Sequence, residues 1–392
     1  MDLSTTSFHT DTTKFRKCCL TIIHQGLVSY NQLRNHKIDN DSIIMNDLIS
    51  ITKNISEDLA TIGPSKWSIF GGTGFVGRWL AAGLTFSANS LGLPLSLNVV
   101  TRDKVIAKRK MQEFFPINLP IPKLITIDEY FKEETKNTEK KFLNFVVFGA
   151  TPTTNFPKDL RSVVNMFEKL LIRISDAEIP PVVINLSSGA VYKDAFSQKE
   201  FLNESEEIQV EEDSVNIYQE CKLSIESLLV EKVKTRSIRG VNPRLFSFAG
   251  PGFPLESHFA ISHFVKSCLE KGVIHIEGHA DTTRSYMNPV DLVIWLIRLT
   301  RMENEIGTRP IHIGSDQPIN MRNLAELVLR IFNGNQISFE QRSVAIPSRY
   351  VPSTYISRKL LDVEYHYGLE QTLLRWKEFL SLRRRSREVI WD

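Results

Sequence analysis

Cysteine is scarce in this chain, with four residues among 392, at positions 18, 19, 221 and 268. Their spacing matches no metal-ligand motif, and the adjacent pair at 18 and 19 would form an awkward disulfide. Reduced thiols are the simplest interpretation, because disulfides persist mainly outside the cytosol. We therefore predict a cytoplasmic protein without a disulfide framework and without a metal site.

Long apolar runs and an excess of one charge are also lacking. No stretch approaches the roughly 18 apolar residues of a membrane span. The segment Leu20–Gln25 is interrupted by polar side chains, unlike the core of a secretion signal. A formal net charge of +3 gives no general attraction to nucleic acid or to an anionic membrane. Neither nucleic acid nor membrane is an expected partner.

The composition that remains is that of a globular protein, with 42% apolar and 24% charged residues. The length predicts two domains, or one domain with a sizeable insertion. Residues 1–64 form an N-terminal extension, in which apolar positions between Met45 and Leu59 have the spacing of an amphipathic helix. Gly63 and Pro64 end that helix. We expect it to pack on the main domain, with a partner-binding arm as the alternative.

From residue 65 onward, short apolar runs alternate with helical patterns. The predicted strands cover residues 67–70, 97–101, 123–127, 145–148, 182–186 and 240–246, and the intervening helices cover 78–91, 105–115 and 160–175. After Gly250 the alternation becomes irregular and ends in helical segments over 321–332 and 369–382. This pattern predicts an α/β fold, in which a doubly wound parallel sheet carries helices on both faces.

A glycine-rich loop, Gly71-x-x-Gly74-x-x-Gly77, follows the first predicted strand and opens a helix. Glycines allow a tight turn and close backbone approach, and the helix N-terminus offers unpaired N–H groups to a pyrophosphate. Phe75 and Val76, between Gly74 and Gly77, are also predicted to bind the cofactor. The spacing is GxxGxxG rather than GxGxxG, and a purely structural turn is the alternative. We predict a Rossmann-like, NAD(P)-binding domain over 65–249 and a smaller, mainly substrate-binding region over 250–392, from which one strand could return to the sheet.

The end of the second strand bears on the choice of cofactor. Arg102 at its tip suits the 2′-phosphate of NADP, whereas the following Asp103 could hold the ribose of NAD. The alternative is a solvent-exposed Arg–Asp pair without a role in cofactor binding. Between the two cofactors, the sequence weakly favours NADP. Asp128, just past the third strand, could meet the adenine edge or could cap the next helix.

Hydroxyl groups follow the fifth strand and precede a tyrosine–lysine pair. In an open parallel sheet, ligands bind beyond the carboxyl ends of the strands, so Ser187 and Ser188 are expected to face the site. Tyr218 and Lys222 are four residues apart and share one helix face. A free phenol has a pKa near 10 and is a poor base at neutral pH, but a neighbouring ammonium favours the phenolate. Alone, a Ser-Ser-Gly sequence at the end of a strand is more often a turn. Together with the glycine loop and the tyrosine–lysine pair, it predicts an active site.

This ordered set of motifs resembles the extended short-chain dehydrogenase/reductases. Later segments over 244–251, 284–291 and 311–315 look like the nucleotide-sugar epimerase and dehydratase branch. The resemblance covers roughly residues 45 to 335, and as an ordered set it is far more specific for the superfamily than for the reaction. It also suggests a homodimer.

The resemblance implies a role for each matching residue. Ser188 takes the place of the catalytic Ser/Thr, Tyr218 that of the acid/base, and Lys222 that of the residue which orients the nicotinamide ribose and tunes the tyrosine. Ala150, after the fourth strand, falls at the cofactor. Arg284 falls on an arginine that often meets the nucleotide-sugar diphosphate, although a surface arginine is the alternative.

Departures from the family pattern bear on the reaction. Dehydratases of this branch usually carry an Asp-Glu pair after the catalytic residue, but here Gly189 and Ala190 occupy those places and can transfer no proton. Ser247 stands at a substrate-contacting position where the family usually has Asn. The fourth strand is followed by Gly-Ala-Thr at 149–151 instead of the usual His-x-Ala-Ala pattern.

These features predict an enzyme acting on a nucleotide sugar with bound NADP or NAD. We expect an epimerase that transiently oxidises its substrate to a keto sugar, with Tyr218 as acid/base. An NADPH-dependent keto-sugar reductase and a 4,6-dehydratase are the enzymatic alternatives. A cofactor-sensing regulatory protein is the alternative from another class, although it would have little reason to keep Ser188, Tyr218 and Lys222 together.

Overall fold

A computed structural model describes residues 40–132, 143–150, 157–175, 179–195, 199–206, 208, 217–339 and 347–388. Cys18, Cys19, Thr151 and the segment Leu20–Gln25 lie outside these residues. The other two cysteines, Cys221 and Cys268, are buried free thiols.

Twelve α-helices and fourteen short strands make up the described part of the chain. The helices are α1 (Asn40–Ile62), α2 (Phe75–Leu91), α3 (Lys104–Gln112), α4 (Ile127–Lys132), α5 (Pro157–Ser175), α6 (Ile217–Lys234), α7 (Ala260–Lys271), α8 (Pro289–Leu299), α9 (Glu303–Ile306), α10 (Met321–Phe332), α11 (Tyr355–Leu361) and α12 (Leu369–Glu388). The strands are β1 (Ser65–Phe70), β2 (Leu95–Thr101), β3 (Lys123–Thr126), β4 (Leu143–Phe148), β5 (Val182–Asn185), β6 (Ser187–Ser188), β7 (Arg239–Val241), β8 (Pro243–Leu245), β9 (Val273–Ile276), β10 (Thr283–Arg284), β11 (Ile311–Ile313), β12 (Ile319–Asn320), β13 (Gln336–Phe339) and β14 (Arg349–Tyr350). A 3₁₀-helix covers Gly189–Ala195.

The central sheet has six parallel strands in the order β3-β2-β1-β4-β5-β7. This is the doubly wound order, which reverses direction between β1 and β4 and opens a crevice at their carboxyl ends. The predicted fold class is confirmed. Three smaller sheets lie beside it, in the orders β11-β8-β6, β12-β10-β14 and β13-β9.

Alternation along the strands covers both faces of the sheet. In β4, Phe145 and Val147 belong to one apolar cluster, whereas Val146 and Phe148 belong to the other. The first cluster includes α1, α2 and α8, and the second includes α5 and α6. Each strand therefore reads as a continuous apolar run, because consecutive side chains enter opposite cores.

Helix α1 is longer than the predicted segment and packs against α2, α8 and α12. Its apolar stripe, including Leu48, Ile51 and Ile55, is fully buried. The Thr52 and Ser87 hydroxyls are hydrogen-bonded at 2.7 Å between α1 and α2. Arg301, beyond α8, donates to the Asp58 carboxylate at 2.6 Å. The domain boundaries stay predictions, but α1 and α8 contribute to the same core as the sheet.

The predicted sixth strand, residues 240–246, is divided in two at Asn242. Strand β7 pairs with β5 in the central sheet, whereas β8 pairs with β6 and β11 in a smaller sheet. Pro243 has no N–H to give to a ladder, which favours an interruption here. The Asn242 side chain accepts from Asn185 at 2.8 Å and donates to the Glu226 carbonyl at 3.3 Å. The division leaves β8 free to pair with β6, the strand that ends at Ser188.

Candidate active site

The glycine loop forms a turn lined by backbone between β1 and α2. Gly71 has φ +79°, and a β-carbon there would lie 2.5 Å from the Gly149 carbonyl oxygen and 3.0 Å from the Ala150 nitrogen. A β-carbon at Gly77 would lie 2.5 Å from the Gly71 oxygen. Gly74 is the N-cap of α2 and has no side-chain cap. These features suit a dinucleotide pyrophosphate held by the N–H groups of the helix start.

Phe75 and Val76 anchor this helix start to the core beneath it. The Phe75 ring packs edge-on against Phe253 at 5.0 Å between centroids. Val76 is half-buried against the same apolar cluster. Their side chains therefore fix the loop, while a cofactor would meet their backbone.

At the tip of β2, the neighbouring Arg102 and Asp103 have different surroundings. Arg102 is exposed. Asp103 is the N-cap of α3, where one carboxylate oxygen accepts from Val105 N at 2.7 Å and from Ile106 N at 2.9 Å. A capping carboxylate is engaged by its own helix.

Asp128 is exposed within the first turn of α4. The cap belongs to its neighbours: Glu129 N donates to the Thr126 hydroxyl at 3.1 Å, and Thr126 N donates to the Glu129 carboxylate at 2.7 Å. This reciprocal pair is a capping box. The alternative in which Asp128 caps the helix is therefore wrong, while its contact with adenine stays a prediction.

Tyr218 and Lys222 lie on one face of α6, as their spacing predicts. The Lys222 ammonium is 5.7 Å from the centroid of the Tyr218 ring and donates to the Leu186 carbonyl at 2.8 Å. Leu186 joins β5 to β6, so Lys222 points to the carboxyl end of the central sheet. Lys222 is only 4% exposed.

Ser188 ends β6, and α6 packs against both β6 and the following 3₁₀-helix. Its hydroxyl oxygen accepts from Ala190 N at 3.1 Å. The structure thus brings Ser188, Tyr218 and Lys222 to the end of the sheet that also carries the glycine loop.

Tyr350 also lies at this site, although no sequence pattern indicates it. Its ring stacks on Phe246 with centroids 4.7 Å apart. Its phenol lies within reach of a hydrogen bond with Ser188 and near the Tyr218 phenol. Burial, as the largest cause, raises the pKa of Tyr350 well above that of a free phenol. The residue stands in a short stretch between two prolines, without a periodicity or motif that would mark it.

Arg284, in β10, lies beside Tyr350. Its guanidinium donates to the Thr283 carbonyl at 2.8 Å and to the Ser348 hydroxyl at 3.0 Å, and its centre is 6.0 Å from the Tyr350 ring centroid. Within the described ranges, no carboxylate forms an ion pair with it. Burial lowers its pKa. Ser247, half-buried after β8, accepts at its carbonyl from Met287 N at 2.9 Å, which holds it next to this region.

A network of buried polar side chains holds β6 in place. Glu226 accepts two hydrogen bonds from the Arg244 guanidinium, at 3.0 and 2.7 Å, and another from the Ser187 hydroxyl. Arg244 also donates to Tyr192, whose hydroxyl is 2.9 Å from His312 Nε2. Burial raises the pKa of Tyr192 to about 12 and lowers that of His312 to about 3, so both are neutral at pH 7. The network therefore holds one ion pair and fixes Ser187, the neighbour of Ser188.

Comparison with known proteins identifies the family. Residues 67–314, more than half of the chain, match the NAD dependent epimerase/dehydratase family. The chain belongs to that family and is therefore an enzyme of the NAD-dependent class, in agreement with the resemblance to extended short-chain dehydrogenase/reductases. No curated protein sequence matches the chain significantly.

Solved structures share the fold at low sequence identity. An epimerase from Methanothermobacter thermautotrophicus has a TM-score of 0.64 at 19% identity, over 86% of this chain and 97% of that chain. dTDP-glucose 4,6-dehydratase from Bacillus anthracis, in complex with NAD, has a TM-score of 0.64 at 15% identity, over 82% and 98%. UDP-glucose 4-epimerase from Thermotoga maritima, with UDP-glucose, has a TM-score of 0.64 at 16% identity, over 82% and 99%. These similarities concern the fold.

Two features are absent from the described residues. None of their helices combines the length and hydrophobicity needed to span a membrane. They also contain no group of three or more His, Cys, Asp or Glu side chains arranged to hold a metal ion. The cytoplasmic location and the homodimer stay predictions.

Proposed function

We propose that this enzyme is a nucleotide-sugar epimerase that works through transient oxidation of its substrate to a keto sugar. The observation that carries the proposal is the convergence of Ser188, Tyr218 and Lys222 at the carboxyl end of the sheet, beside the glycine loop. A dinucleotide held by that loop would extend along this edge of the sheet.

In the proposed mechanism, each of the three residues has a defined task. Tyr218, as phenolate, removes the proton of a sugar hydroxyl, and Lys222 stabilises that phenolate by its charge. Ser188 donates a hydrogen bond to the same sugar oxygen as it becomes a carbonyl. A bound nicotinamide supplies the hydride acceptor for this oxidation and the hydride donor for its reversal. After the keto sugar has rotated in the site to present its other face, Tyr218 returns the proton, and no external reductant is consumed.

Arg284 supports a diphosphate as part of the substrate. A half-buried guanidinium that has no carboxylate partner among the described residues carries a desolvation cost, which an anionic ligand offsets. The hydrogen bonds to Thr283 and Ser348 fix its position but leave its charge uncompensated. A nucleotide-sugar diphosphate would supply that charge, with Ser247 nearby as a further polar contact.

The surroundings of Gly189 favour epimerisation over dehydration. A β-carbon at Gly189 would lie 2.6 Å from the Phe246 ring and 2.7 Å from the Tyr350 oxygen. The site therefore has no room for the carboxylate that the resembled dehydratases carry at this place. Such a dehydratase would need another acid/base group.

We also propose NADP as the preferred cofactor. Asp103 is engaged as a helix cap, which makes it less available to a ribose, while the exposed Arg102 at the same strand tip is available to a 2′-phosphate. This observation also favours a keto-sugar reductase as the second candidate, since NADPH suits a net reduction. Mass spectrometry of small molecules released from the purified protein identifies the cofactor; NAD as the sole species contradicts the preference.

The reaction can be tested with a panel of UDP- and dTDP-sugars, including 4-keto sugars. An epimerase gives an isomer of unchanged mass and no net change at the reduced-nicotinamide absorbance band. Steady loss of that absorbance indicates a reductase, and a product lighter by one water indicates a dehydratase. Without turnover of any nucleotide sugar, the proposal fails.

Tyr218→Phe removes the phenol that the mechanism requires while keeping the ring. We expect turnover to fall by about 10³-fold, because general acid–base catalysis contributes about 10²- to 10⁴-fold, while cofactor remains bound. Tyr355→Phe, at a tyrosine that is 68% exposed, is the matched control and should keep full activity. A fully active Tyr218→Phe variant would refute the mechanism.

A further inference from the structure

The hydroxyl of Ser188 can donate one hydrogen bond and accept two. The mechanism needs its proton for the reacting oxygen of the substrate. One acceptor site is filled, because Ala190 N donates to the hydroxyl oxygen at 3.1 Å. A second donor at the remaining site would leave Ser188 as a pure donor towards the substrate.

Tyr350 is placed to be that second donor. Stacking on Phe246 holds its ring, and its phenol lies within reach of the Ser188 hydroxyl. The phenol oxygen is also 3.5 Å from the Leu245 carbonyl, which is beyond the usual range for an O–H···O hydrogen bond. The phenol proton can thus turn from Leu245 to Ser188 by rotation of the hydroxyl alone.

Gly189 is what allows Tyr350 to approach. A β-carbon on residue 189 would lie 2.7 Å from the phenol oxygen, which is closer than real β-carbons approach other atoms. Where the resembled dehydratases carry a carboxylate, this chain has no side chain, and the phenol of a distant segment occupies the space. The missing side chain at Gly189 therefore makes the room that the Tyr350 phenol occupies.

We propose that Tyr350 is a positioning residue, whose phenol donates to Ser188 and thereby directs the Ser188 proton to the reacting oxygen of the substrate. The proposal rests on the epimerase or reductase chemistry argued above. It assigns opposite tasks to two neighbouring phenols: Tyr218 exchanges protons with the substrate, whereas Tyr350 keeps its proton and donates a hydrogen bond throughout.

The environment of Tyr350 supports this division. Burial, as the largest cause, raises its pKa well above that of a free phenol and the neighbouring Tyr218 raises it further, whereas the Ser188 hydroxyl and the Arg284 charge lower it. Burial outweighs the lowering effects and keeps Tyr350 protonated at neutral pH.

A double-mutant cycle tests the proposal in the full-length enzyme. Tyr350→Phe keeps the ring and its stacking but removes the donor. We expect kcat to fall about tenfold with little change in KM, as for the loss of one hydrogen bond that acts in the transition state. In a Ser188→Ala background, the same substitution should change kcat by less than about twofold, because its target is gone.

Tyr365→Phe is the matched control, because Tyr365 is a half-buried phenol that bonds to the Thr354 hydroxyl and the Asp316 backbone N–H and not to Ser188. It should leave kcat unchanged even if it lowers the melting temperature. Equal losses on Tyr350→Phe in both backgrounds, or no loss in either, overturn the proposal while the function stands. A wild-type protein without turnover removes the function itself.

Discussion

At the residue scale, Gly71 and Gly74 stand in one loop but meet different constraints. Gly71 has φ +79°, and a β-carbon there would lie 2.5 Å from a backbone oxygen. Gly74 has φ −75°, and its β-carbon would have 3.3 Å to the nearest oxygen. The first position requires glycine for the fold, whereas the second would require it only to let the proposed cofactor approach the backbone.

Alanine at each position separates these two requirements. Gly71→Ala should lower the free energy of unfolding by about 2 kcal/mol or more, through backbone strain and the clash. Gly74→Ala should lower it by less than about 1 kcal/mol, yet both variants should bind the dinucleotide more weakly. Urea unfolding of the cofactor-free protein and fluorescence titration with NADPH measure the two effects. Equal losses of stability would contradict this account of the loop.

The same scale shows which site residues a sequence can indicate. Tyr218 and Lys222 are four positions apart on one helix, so local geometry alone brings them together. Ser188 follows from the rule that strand ends face the crevice. Tyr350 reaches the site because β14 pairs with β10, a tertiary contact between short segments that no local pattern encodes. The helix-cap role of Thr126, in place of Asp128, depends on where α4 begins.

At the element scale, regular segments follow from the sequence better than interrupted ones. Helix α10 begins and ends where its apolar spacing predicts, at Met321 and Phe332, since Asn320 caps it and Asn333 ends it in a left-handed conformation. The predicted strand over 240–246 is split because β7 and β8 find different partner strands. Pairing partners are chosen by the whole fold, so periodicity could not reveal the break.

Helix α1 gives a prediction at this scale. Leu48 is completely buried against the core that α1 shares with α2 and α8. Leu48→Ala should therefore lower the free energy of unfolding by about 3 kcal/mol, from lost burial and the cavity left behind. Lys53→Ala, at an exposed position of the same helix, should change it by less than about 0.5 kcal/mol. A neutral Leu48→Ala would mean that α1 is an appendage and no part of the core.

At the scale of the whole molecule, two buried ionisable groups in different parts of the fold respond to pH in opposite directions. Asp47, in α1, accepts from Arg375 of α12, and burial raises its pKa from 3.8 to about 7. His312, in β11, is held in the network behind β6, and burial lowers its pKa from 6.5 to about 3. Both side chains are fully buried.

The signs of the two contributions follow from proton binding. Between about pH 4 and 6.5 the folded protein holds a proton on Asp47 that the unfolded chain releases, so this stabilisation is lost as pH rises through about 7. The unfolded chain holds a proton on His312 that the folded protein lacks, so that stabilisation is lost as pH falls below 6.5. Each group changes the free energy of unfolding by about 1.4 kcal/mol per pH unit in its range. In the intact protein the two changes have opposite signs and largely cancel.

Removing one group at a time should expose the other. Relative to wild type, the free energy of unfolding of His312→Gln should fall by about 1 kcal/mol per unit as pH rises from 4.5 to 6, because Asp47 is left unopposed. Asp47→Asn should show the opposite slope over the same interval. Urea unfolding at several pH values measures both slopes, and His258→Gln, at an exposed histidine, should reproduce the wild-type slope. Parallel curves for all four proteins would mean that neither buried group changes its proton affinity on folding, and that the two contributions do not cancel in the intact protein.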